Sequence, residues 1–427
     1  MTKRPAISSR AVVESSLARR YRRERAFRLY GLLATTVGVV FLLIFFSTLI
    51  AKGSSAFLQT HIRLDVEYSA DIIAPGGTLD AAYADFDAII RKALSELFPQ
   101  ATDRGARREL QRLVSVGAGY QLRAAIETNP DLLGTRQSVH VPAAANVDMV
   151  IKENIDRALP ENQRQVSDRQ LEWIDQLESD GRIALKFNSA LFTNGDSREP
   201  ELAGIRGALM GSIYMLVVTI LLSFPVGAAA AVYLEEFAPR NRWSDLIEVN
   251  INNLAAVPSI VFGLLGLAVF INWLALPRSA PLVGGLALSL LTLPVIIIAS
   301  RAAIKAVPPS IREAALAVGA SKMQVVFHHV LPLALPGMLT GAIIGMSRAL
   351  GESAPLLMIG MVAFIVDVPA SFTDPATALP VQIYLWADSP ERAFAERTSA
   401  AIIVLLGFLL LMNLAAVILR KRVEKQW

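Results

Sequence analysis

The sequence has no cysteine, few histidines and little charge for its length. None of its 427 residues is cysteine and only 18% are charged, which excludes disulfide bonds and thiolate chemistry. The four histidines, His61, His140, His328 and His329, have no carboxylate at metal-ligand spacing, so no metal site is predicted. No G-x-x-x-x-G-K segment followed by Ser or Thr occurs, so the chain cannot cradle ATP phosphates with a P-loop. We therefore expect no ATPase site in this polypeptide.

Long apolar runs dominate what is present. Apolar residues make up 53% of the chain and the mean hydropathy is +0.46, which is typical of a membrane protein. A membrane span needs about 20 apolar residues, and six segments qualify. They are Leu29–Ala51, Gly207–Leu234, Val249–Leu274, Leu282–Ser300, Met338–Val366 and Ala400–Leu419. Pro225 and Pro258 predict helix breaks within the second and third spans.

The distribution of Lys and Arg predicts the orientation in the membrane, because basic residues that flank spans stay cytoplasmic. Residues 1–28 contain nine basic and two acidic side chains, whereas residues 367–397 contain two basic and five acidic ones. We therefore expect both termini on the cytoplasmic side. A cleavable signal peptide is the alternative interpretation of the N-terminus. The first apolar run is long and no small-x-small cleavage site follows it, so an uncleaved anchor is predicted.

One large hydrophilic block separates the first two spans. Residues 52–205 carry 17 basic and 23 acidic side chains. The segment His61–Tyr68 alternates apolar residues as a strand does, and Ile183–Phe192 is a possible second strand. Helical spacing is present in Leu79–Leu97, Ala106–Ile126 and Asp148–Ala158. A block of about 150 residues can fold alone, so we predict a periplasmic α+β domain without a catalytic motif.

A polar stretch, residues 301–337, interrupts the apolar C-terminal half. Pro308 and Pro309 suit the first turn of a new helix, and Ser310 is a candidate cap. Gly319 is placed to end this helix, because glycine readily adopts a left-handed conformation.

A second short helix is predicted from Ser321 to about Val330, before Pro332 and Pro336 break the chain again. From composition alone this polar stretch is either a solvated cytoplasmic loop or a surface that docks on another protein.

The residue spacing within the stretch resembles a family motif, the EAA loop of ABC-importer permeases. The matching residues, with the arginine that precedes them, are Arg312, Glu313, Ala314, Ala315, Gly319, Leu331 and Pro332. The resemblance implies that this loop fits a groove of a separate ATP-hydrolysing subunit and couples it to transport.

Further segments extend the resemblance over residues 205–425. They are YLEEFAP, NLAAVPSIVFGLLGL, RALGESAPLL and LPVQIYLWADSPERAF, and together they look like the PstA-type permease subunit of the bacterial phosphate ABC transporter. The resemblance implies a MetI-like permease core in the bacterial inner membrane that imports phosphate. It also implies a second permease subunit, two ATP-binding subunits and a periplasmic phosphate-binding protein as partners. No cofactor and no nucleic acid are expected.

The whole sequence predicts an all-α polytopic membrane protein of six transmembrane helices with an inserted α+β periplasmic domain. A basic cytoplasmic tail (1–28) and a first transmembrane helix (29–51) precede the periplasmic domain (52–205). The permease core (206–427) contains the coupling loop (301–337). Three other functions remain open: an ABC permease for another oxyanion such as molybdate or phosphonate, a membrane sensor, and an ion-coupled transporter, which would show paired repeats.

Two charged residues, Arg348 and Glu352, lie within the fifth predicted span. A charge at the bilayer centre costs about 2.5–3.5 kcal/mol on insertion scales, so such residues usually mark a pathway or a paired contact. At positions i and i+4 they share one helical face. Arg348 would offer a guanidinium fork to phosphate oxygens, and Glu352 would hold it when the pathway is empty. The alternative is a structural pair that neutralises itself or clamps the second permease subunit.

Overall fold

The computed structural model describes residues 9–73 and 84–423. The chain divides into two compact units, residues 1–52 and 53–427. In the first unit a single helix, α1 (Ser9–Gly53), contains the whole first predicted span. Its apolar side chains, such as Phe41, are exposed, as expected of a helix surrounded by lipid. The predicted start of a helix at Leu79 lies outside the described residues, as do residues 1–8 and 424–427 of the predicted cytoplasmic tails.

The hydrophilic segment (residues 53–205) is mostly helical and contains one small antiparallel sheet. Its strands are β1 (Leu58–Glu67), β2 (Arg136–Pro142) and β3 (Ile183–Phe187), in the order β2-β1-β3. Its helices are α2 (Ala70–Ile73), α3 (Phe86–Leu97), α4 (Arg104–Gln111), α5 (Gly117–Thr128), α6 (Ala145–Ile151), α7 (Asp168–Ser179) and α8 (Ala190–Thr193). Successive side chains of a strand point to opposite faces, and Ile62, Leu64 and Val66 of β1 accordingly enter one hydrophobic core with the helices.

The strand predicted over His61–Tyr68 is confirmed as β1, but other predictions for this segment need correction. The helix predicted over Ala106–Ile126 is two helices, α4 and α5, because Val114 leaves the helical path to bridge Ala143 at the edge of the sheet. Strand β2 has no counterpart in the sequence prediction, since its first three side chains are exposed and show no alternation.

Two further boundaries in the hydrophilic segment differ from the prediction. The helix predicted over Asp148–Ala158 is α6, which ends at Ile151, and Glu153 then takes a left-handed φ of 59°. The strand predicted over Ile183–Phe192 ends at Phe187 because the chain turns into α8. The α+β class of this segment stays a prediction, since helices outweigh the small sheet.

Helices make up most of residues 206–423. They are α9 (Arg206–Val232), α10 (Arg242–Ala255), α11 (Ser259–Leu265), α12 (Pro281–Lys305), α13 (Pro309–Ala317), α14 (Lys322–Gln324), α15 (Leu331–Gly351), α16 (Ala354–Met358), α17 (Leu379–Ala387) and α18 (Phe394–Val423). π-Helical turns extend α9 and α11 and join α14 to α15. Helix α12 contacts both α9 and α15. Small residues allow the close approach, since a Cβ built on Gly341 would lie 2.3 Å from the Cβ of Ala299.

The described residues include five helices that are long and apolar enough to cross a membrane, or six if one bent pair counts as a single span. The five are Arg20–Phe57, Arg206–Phe237, Pro281–Lys305, Lys322–Gly351 and Phe394–Arg422. The bent pair, Arg242–Ala255 with Ser259–Trp273, forms an angle of 103° and corresponds to the third predicted span. The break falls at Pro258, which caps α11, as predicted.

The fifth predicted span, Met338–Val366, is wrong at both ends. The helical span begins at Lys322 and ends at Gly351. It continues through Pro332 and Pro336, which were predicted to break the chain. Pro332 follows a π-helical turn and lies in the first turn of α15.

Pro225 likewise lies inside α9 rather than breaking it. In lipid an unpaired backbone group is costly, so a helix that passes a proline is favoured when neighbouring helices pack against it. Pro225, Pro332 and Pro336 therefore do not end their helices, whereas Pro258 does.

Candidate coupling loop and anion pathway

The candidate coupling loop (residues 306–330) begins with helix α13 and turns sharply after it. The N–H of Gly319 donates to the carbonyl of Leu316 at 3.0 Å, and the N–H of Ala320 donates to the carbonyl of Ala315 at 3.1 Å. These two bonds form a Schellman motif, and Gly319 supplies its left-handed residue with a φ of 86°. The prediction that Gly319 ends the helix is confirmed. The predicted cap is wrong, because Pro308 occupies the N-cap position and Ser310 lies in the first turn.

The outer surface of the candidate coupling loop is apolar. Leu316 is 53% exposed and Val318 is 84% exposed, and both flank the turn at Gly319. Exposed apolar side chains grouped in this way mark surfaces that contact other proteins. Glu313 and Ala314 are exposed on the same helix.

The inner surface of the loop is anchored to the long helices. Ala315 is buried in a hydrophobic cluster with Ala231 of α9 and Ile304 of α12. Leu331 and Pro332, which the sequence placed in the loop, are instead the first residues of α15. The residues matched to the family motif therefore divide into an exposed set and an anchoring set.

Arg312 faces inward. Its Nη2 donates to Glu236 Oε1 at 2.8 Å and to the carbonyl of Ile304 at 3.0 Å, and its Nη1 donates to the carbonyl of Val307 at 2.7 Å. One guanidinium thus joins the end of α9, the end of α12 and the start of the loop.

A second arginine makes a similar junction. Arg301 of α12 forms ion pairs with Glu235 at the end of α9 and with Glu248 of α10, the latter at 2.8 Å. Lys305 also lies 3.4 Å from Glu235. Sequence analysis missed this network. The sequence did contain a signal for it. Glu235 and Glu236 follow an apolar run, and their negative charge is complementary to the basic residues of the 301–337 stretch.

The structure brings Arg348 and Glu352 together, with 3.4 Å between Arg348 Nε and Glu352 Oε1. The pair lies at the C-terminal end of α15, since that helix stops at Gly351, and not deep in the span as predicted. The side chain of Arg348 is 43% exposed in the chain alone, so it is accessible to a solute or to another subunit. Nearby, Ser347 Oγ donates to Asn413 Oδ1 of α18 at 2.7 Å.

The glycines on α15 face a helix of the same chain. Gly341 approaches Ala299, and a Cβ on Gly345 would lie 3.6 Å from the Cβ of Thr292, both on α12. The helix that approaches these glycines closely is therefore α12. Among the described residues, no group of three or more His, Asp or Glu side chains is placed to hold a metal ion.

Two family models match the chain. Residues 223–425 match the inner membrane component of binding-protein-dependent transport systems. Residues 14–161 match a domain of unknown function, DUF3333, which includes α1 and much of the hydrophilic segment.

Curated relatives are similar to about half of this chain or less. The phosphate transport system permease protein PstA 1 of Mycobacterium tuberculosis is 34% identical over 217 residues, which is 51% of this chain and 70% of that protein. PstA of Haemophilus influenzae is 29% identical over 52% of this chain and 78% of that protein. The probable ABC transporter permease protein YqgI of Bacillus subtilis is 39% identical over 36% of this chain, but the match spans only 52% of that relative.

Among solved structures, the MetNI methionine ABC transporter in an inward-facing conformation is 21% identical over 52% of this chain and 96% of the matched chain, with a TM-score of 0.43. A bacterial alginate ABC transporter bound to its periplasmic protein is 16% identical over 51% of this chain and 79% of the matched chain, with a TM-score of 0.40. The identity and coverage shared with the Mycobacterium tuberculosis permease, together with the family model over residues 223–425, show that this chain belongs to the PstA-type permeases of binding-protein-dependent ABC transporters.

Proposed function

We propose that this chain is the transmembrane permease subunit of an ATP-driven importer of inorganic phosphate. The observation that carries the proposal is the similarity of about half of this chain to permeases named for phosphate transport. The chain has no P-loop, so ATP hydrolysis must come from a separate subunit. A second permease subunit, two ATP-binding subunits and a periplasmic phosphate-binding protein complete the proposed complex.

The candidate coupling loop is the proposed contact with the ATP-binding subunit. Its exposed residues Leu316 and Val318 supply an apolar surface, and Glu313, Ala314 and Gly319 border it. Arg312 is hydrogen-bonded to Glu236 at the end of α9 and to the carbonyl of Ile304 at the end of α12. A displacement of α13 by the ATP-binding subunit would therefore move both long helices, which is what coupling requires.

Arg348 and Glu352 are the proposed residues of the anion pathway. An exposed ion pair at 3.4 Å contributes little to stability, typically about 0–1 kcal/mol, so an incoming anion can compete for the guanidinium at low cost. Arginine suits this role because its planar fork matches two oxygens of a phosphate. The competing proposal, a contact with the second permease subunit, uses the same exposed side chain.

The proposed topology places both termini and the candidate coupling loop in the cytoplasm, and residues 52–205 in the periplasm. The division into a tail (1–28), a first span (29–51), the periplasmic domain (52–205) and the permease core (206–427) is part of this proposal. Cysteines introduced at Val116 and Ser321, both exposed, should react with an impermeant thiol reagent from opposite sides of inner-membrane vesicles. Labelling of both from one side would overturn the topology.

The anion specificity can be tested through ATP hydrolysis. The complex, reconstituted in proteoliposomes with its binding protein, should hydrolyse ATP faster when phosphate is added than when molybdate or a phosphonate is added. Stimulation by one of the other oxyanions alone would reassign the substrate but keep the ABC permease assignment.

A further inference from the structure

The hydrophilic segment and the permease core enclose a cleft of about 900 Å³. One wall comes from α4 and the residue that follows it, with Arg108 and Arg112. The opposite wall comes from the loop after α17, with Glu391, and from residues 196–201, which lead into α9. A volume in this range is enough to enclose part of a ligand or the side chains of a docked protein.

Four charged side chains at the mouth of the cleft form no ion pair with any described residue. Arg108, Arg112, Glu199 and Glu391 are exposed, and none of them forms an ion pair within the described part of the chain. Elsewhere in the hydrophilic segment, exposed arginines are commonly paired, as Arg123 is with Glu127 at 2.8 Å. The charges at the cleft are therefore available to another molecule.

The rim of the cleft also carries exposed apolar and aromatic side chains. Phe364 is 46% exposed, and the guanidinium of Arg198 lies 5.5 Å from the centre of its ring. Val116 and Val362 are exposed beside it. Arginine and aromatic residues are the types enriched in protein–protein interfaces, so this composition favours a protein over a small solute.

The floor and walls of the cleft are fixed. Asp196, which is buried, accepts a hydrogen bond from Trp386 Nε1 at 3.0 Å, and Trp386 packs against Phe394 with 5.7 Å between ring centres. Burial raises the pKa of the Asp196 carboxyl. Behind the cleft, Lys152, which follows α6, contacts Glu396 of α18. A preformed surface avoids much of the ordering cost that binding otherwise carries.

The cleft and the candidate coupling loop lie at opposite ends of α9. Residues 196–201 of the cleft precede Arg206, where α9 begins, whereas Glu236, the partner of Arg312, follows its C-terminal end. The segment Arg206–Phe237 is long and apolar enough to cross a membrane. The two surfaces therefore face opposite sides of the membrane.

From these features we infer that the cleft is a docking site for the soluble binding protein, and that the hydrophilic segment supplies its basic wall. The partner would present acidic side chains to Arg108 and Arg112 and an apolar side chain to Phe364. The inference rests on the proposed function, because a binding-protein-dependent importer requires a soluble partner on the side opposite its ATP-binding subunits. It goes beyond that function in giving the hydrophilic segment a role in recognition.

Charge reversal at the basic wall tests the inference. The variant R108E/R112E, in the complete complex in nanodiscs, should bind the phosphate-binding protein of the same organism at least about tenfold more weakly than the wild type. The matched control R104E/R107E changes the same charge on the same helix, at exposed positions that do not line the cleft. The control should bind within about twofold of the wild type, and both variants should keep the basal ATP hydrolysis rate.

The salt dependence gives a second readout. The wild-type affinity should fall as ionic strength rises, because salt screens the attraction between opposite charges. R108E/R112E should lose most of this dependence, because the two attracting arginines are gone. Equal affinities for R108E/R112E, R104E/R107E and the wild type would overturn the docking site while leaving the proposed function intact. Failure of the wild-type complex to bind the binding protein at all would overturn both.

Discussion

Lys152 and Glu396 are 244 positions apart in the chain, yet Lys152 Nζ lies 2.9 Å from Glu396 Oε1. Lys152 Nζ also donates to Asp148 Oδ2 at 2.7 Å, and Asn154 Nδ2 donates to Glu396 Oε2 at 3.1 Å. The side chains of Lys152, Asp148 and Glu396 are only 4%, 7% and 8% exposed. This buried network joins α6 of the hydrophilic segment to the first turn of α18, the last span.

The first prediction concerns this network. Lys152→Met should destabilise the junction by about 3–5 kcal/mol, because it removes the cation that is hydrogen-bonded to two buried carboxylates. Amide hydrogen exchange should accelerate in α6 and in the first turn of α18. Lys92→Met is the matched control, since Lys92 and its partner Glu67 are 42% and 46% exposed, and exchange there should change much less because water screens an exposed pair. Equal protection in the two variants would show that the network does not hold the segment in place.

The second prediction concerns the turn of the candidate coupling loop. Gly319→Val should strain the backbone, because a left-handed conformation costs an L-residue about 1–2 kcal/mol and more for a β-branched side chain. Basal ATP hydrolysis should no longer be stimulated by transport substrate, although the permease still inserts. Gly319→Asn should retain most of the stimulation, since asparagine tolerates φ > 0. Normal stimulation in the Val variant would show that the shape of this turn is not needed for coupling.

The third prediction concerns the anchor of the loop. Arg312→Lys keeps the positive charge but loses the fork that reaches Glu236 and two backbone carbonyls, so stimulation of ATP hydrolysis should fall by at least about tenfold. Lys305→Ala is the control, because Lys305 is 59% exposed and contributes little to the network. If the two variants behave alike, Arg312 is not the link between the loop and the long helices.

The fourth prediction concerns Arg348. Arg348→Lys should transport poorly, because lysine keeps the positive charge but lacks the guanidinium fork. Arg348→Gln should be nearly inactive, because glutamine lacks both. Both variants should assemble with their partner subunits and hydrolyse ATP at the basal rate. Two results together would instead assign the pair to the subunit contact. The Arg348→Gln variant would fail to assemble, and a variant with Glu at position 348 and Arg at position 352 would assemble and transport phosphate.

Sequence analysis located the features that depend on local chemistry. Gly319 ends its helix because the turn requires a left-handed residue, and Pro258 breaks the third predicted span because proline lacks an N–H. The same local rules failed at Pro225, Pro332 and Pro336, where packing between long helices keeps the helix intact.

Features that depend on distant contacts were not predictable from the sequence alone. The contact between Lys152 and Glu396 joins parts of the chain that no periodicity relates. The role of Arg312 as an anchor depends on Glu236, 76 positions earlier. Arg348 and Glu352 were found by their charge in an apolar run, but their position at the end of α15 depends on where that helix stops, at Gly351, and the apolar run continues beyond that residue.

Uptake of radiolabelled phosphate tests the central claim most directly. Proteoliposomes that contain this chain, its partner permease and the ATP-binding subunits should accumulate phosphate only when ATP and the binding protein are both present. Omitting this chain, or replacing the P-loop lysine of the ATP-binding subunit, should abolish uptake. Phosphate uptake that persists without ATP, or an assembled complex that hydrolyses ATP but moves no phosphate, would contradict the assignment of this chain as a phosphate permease.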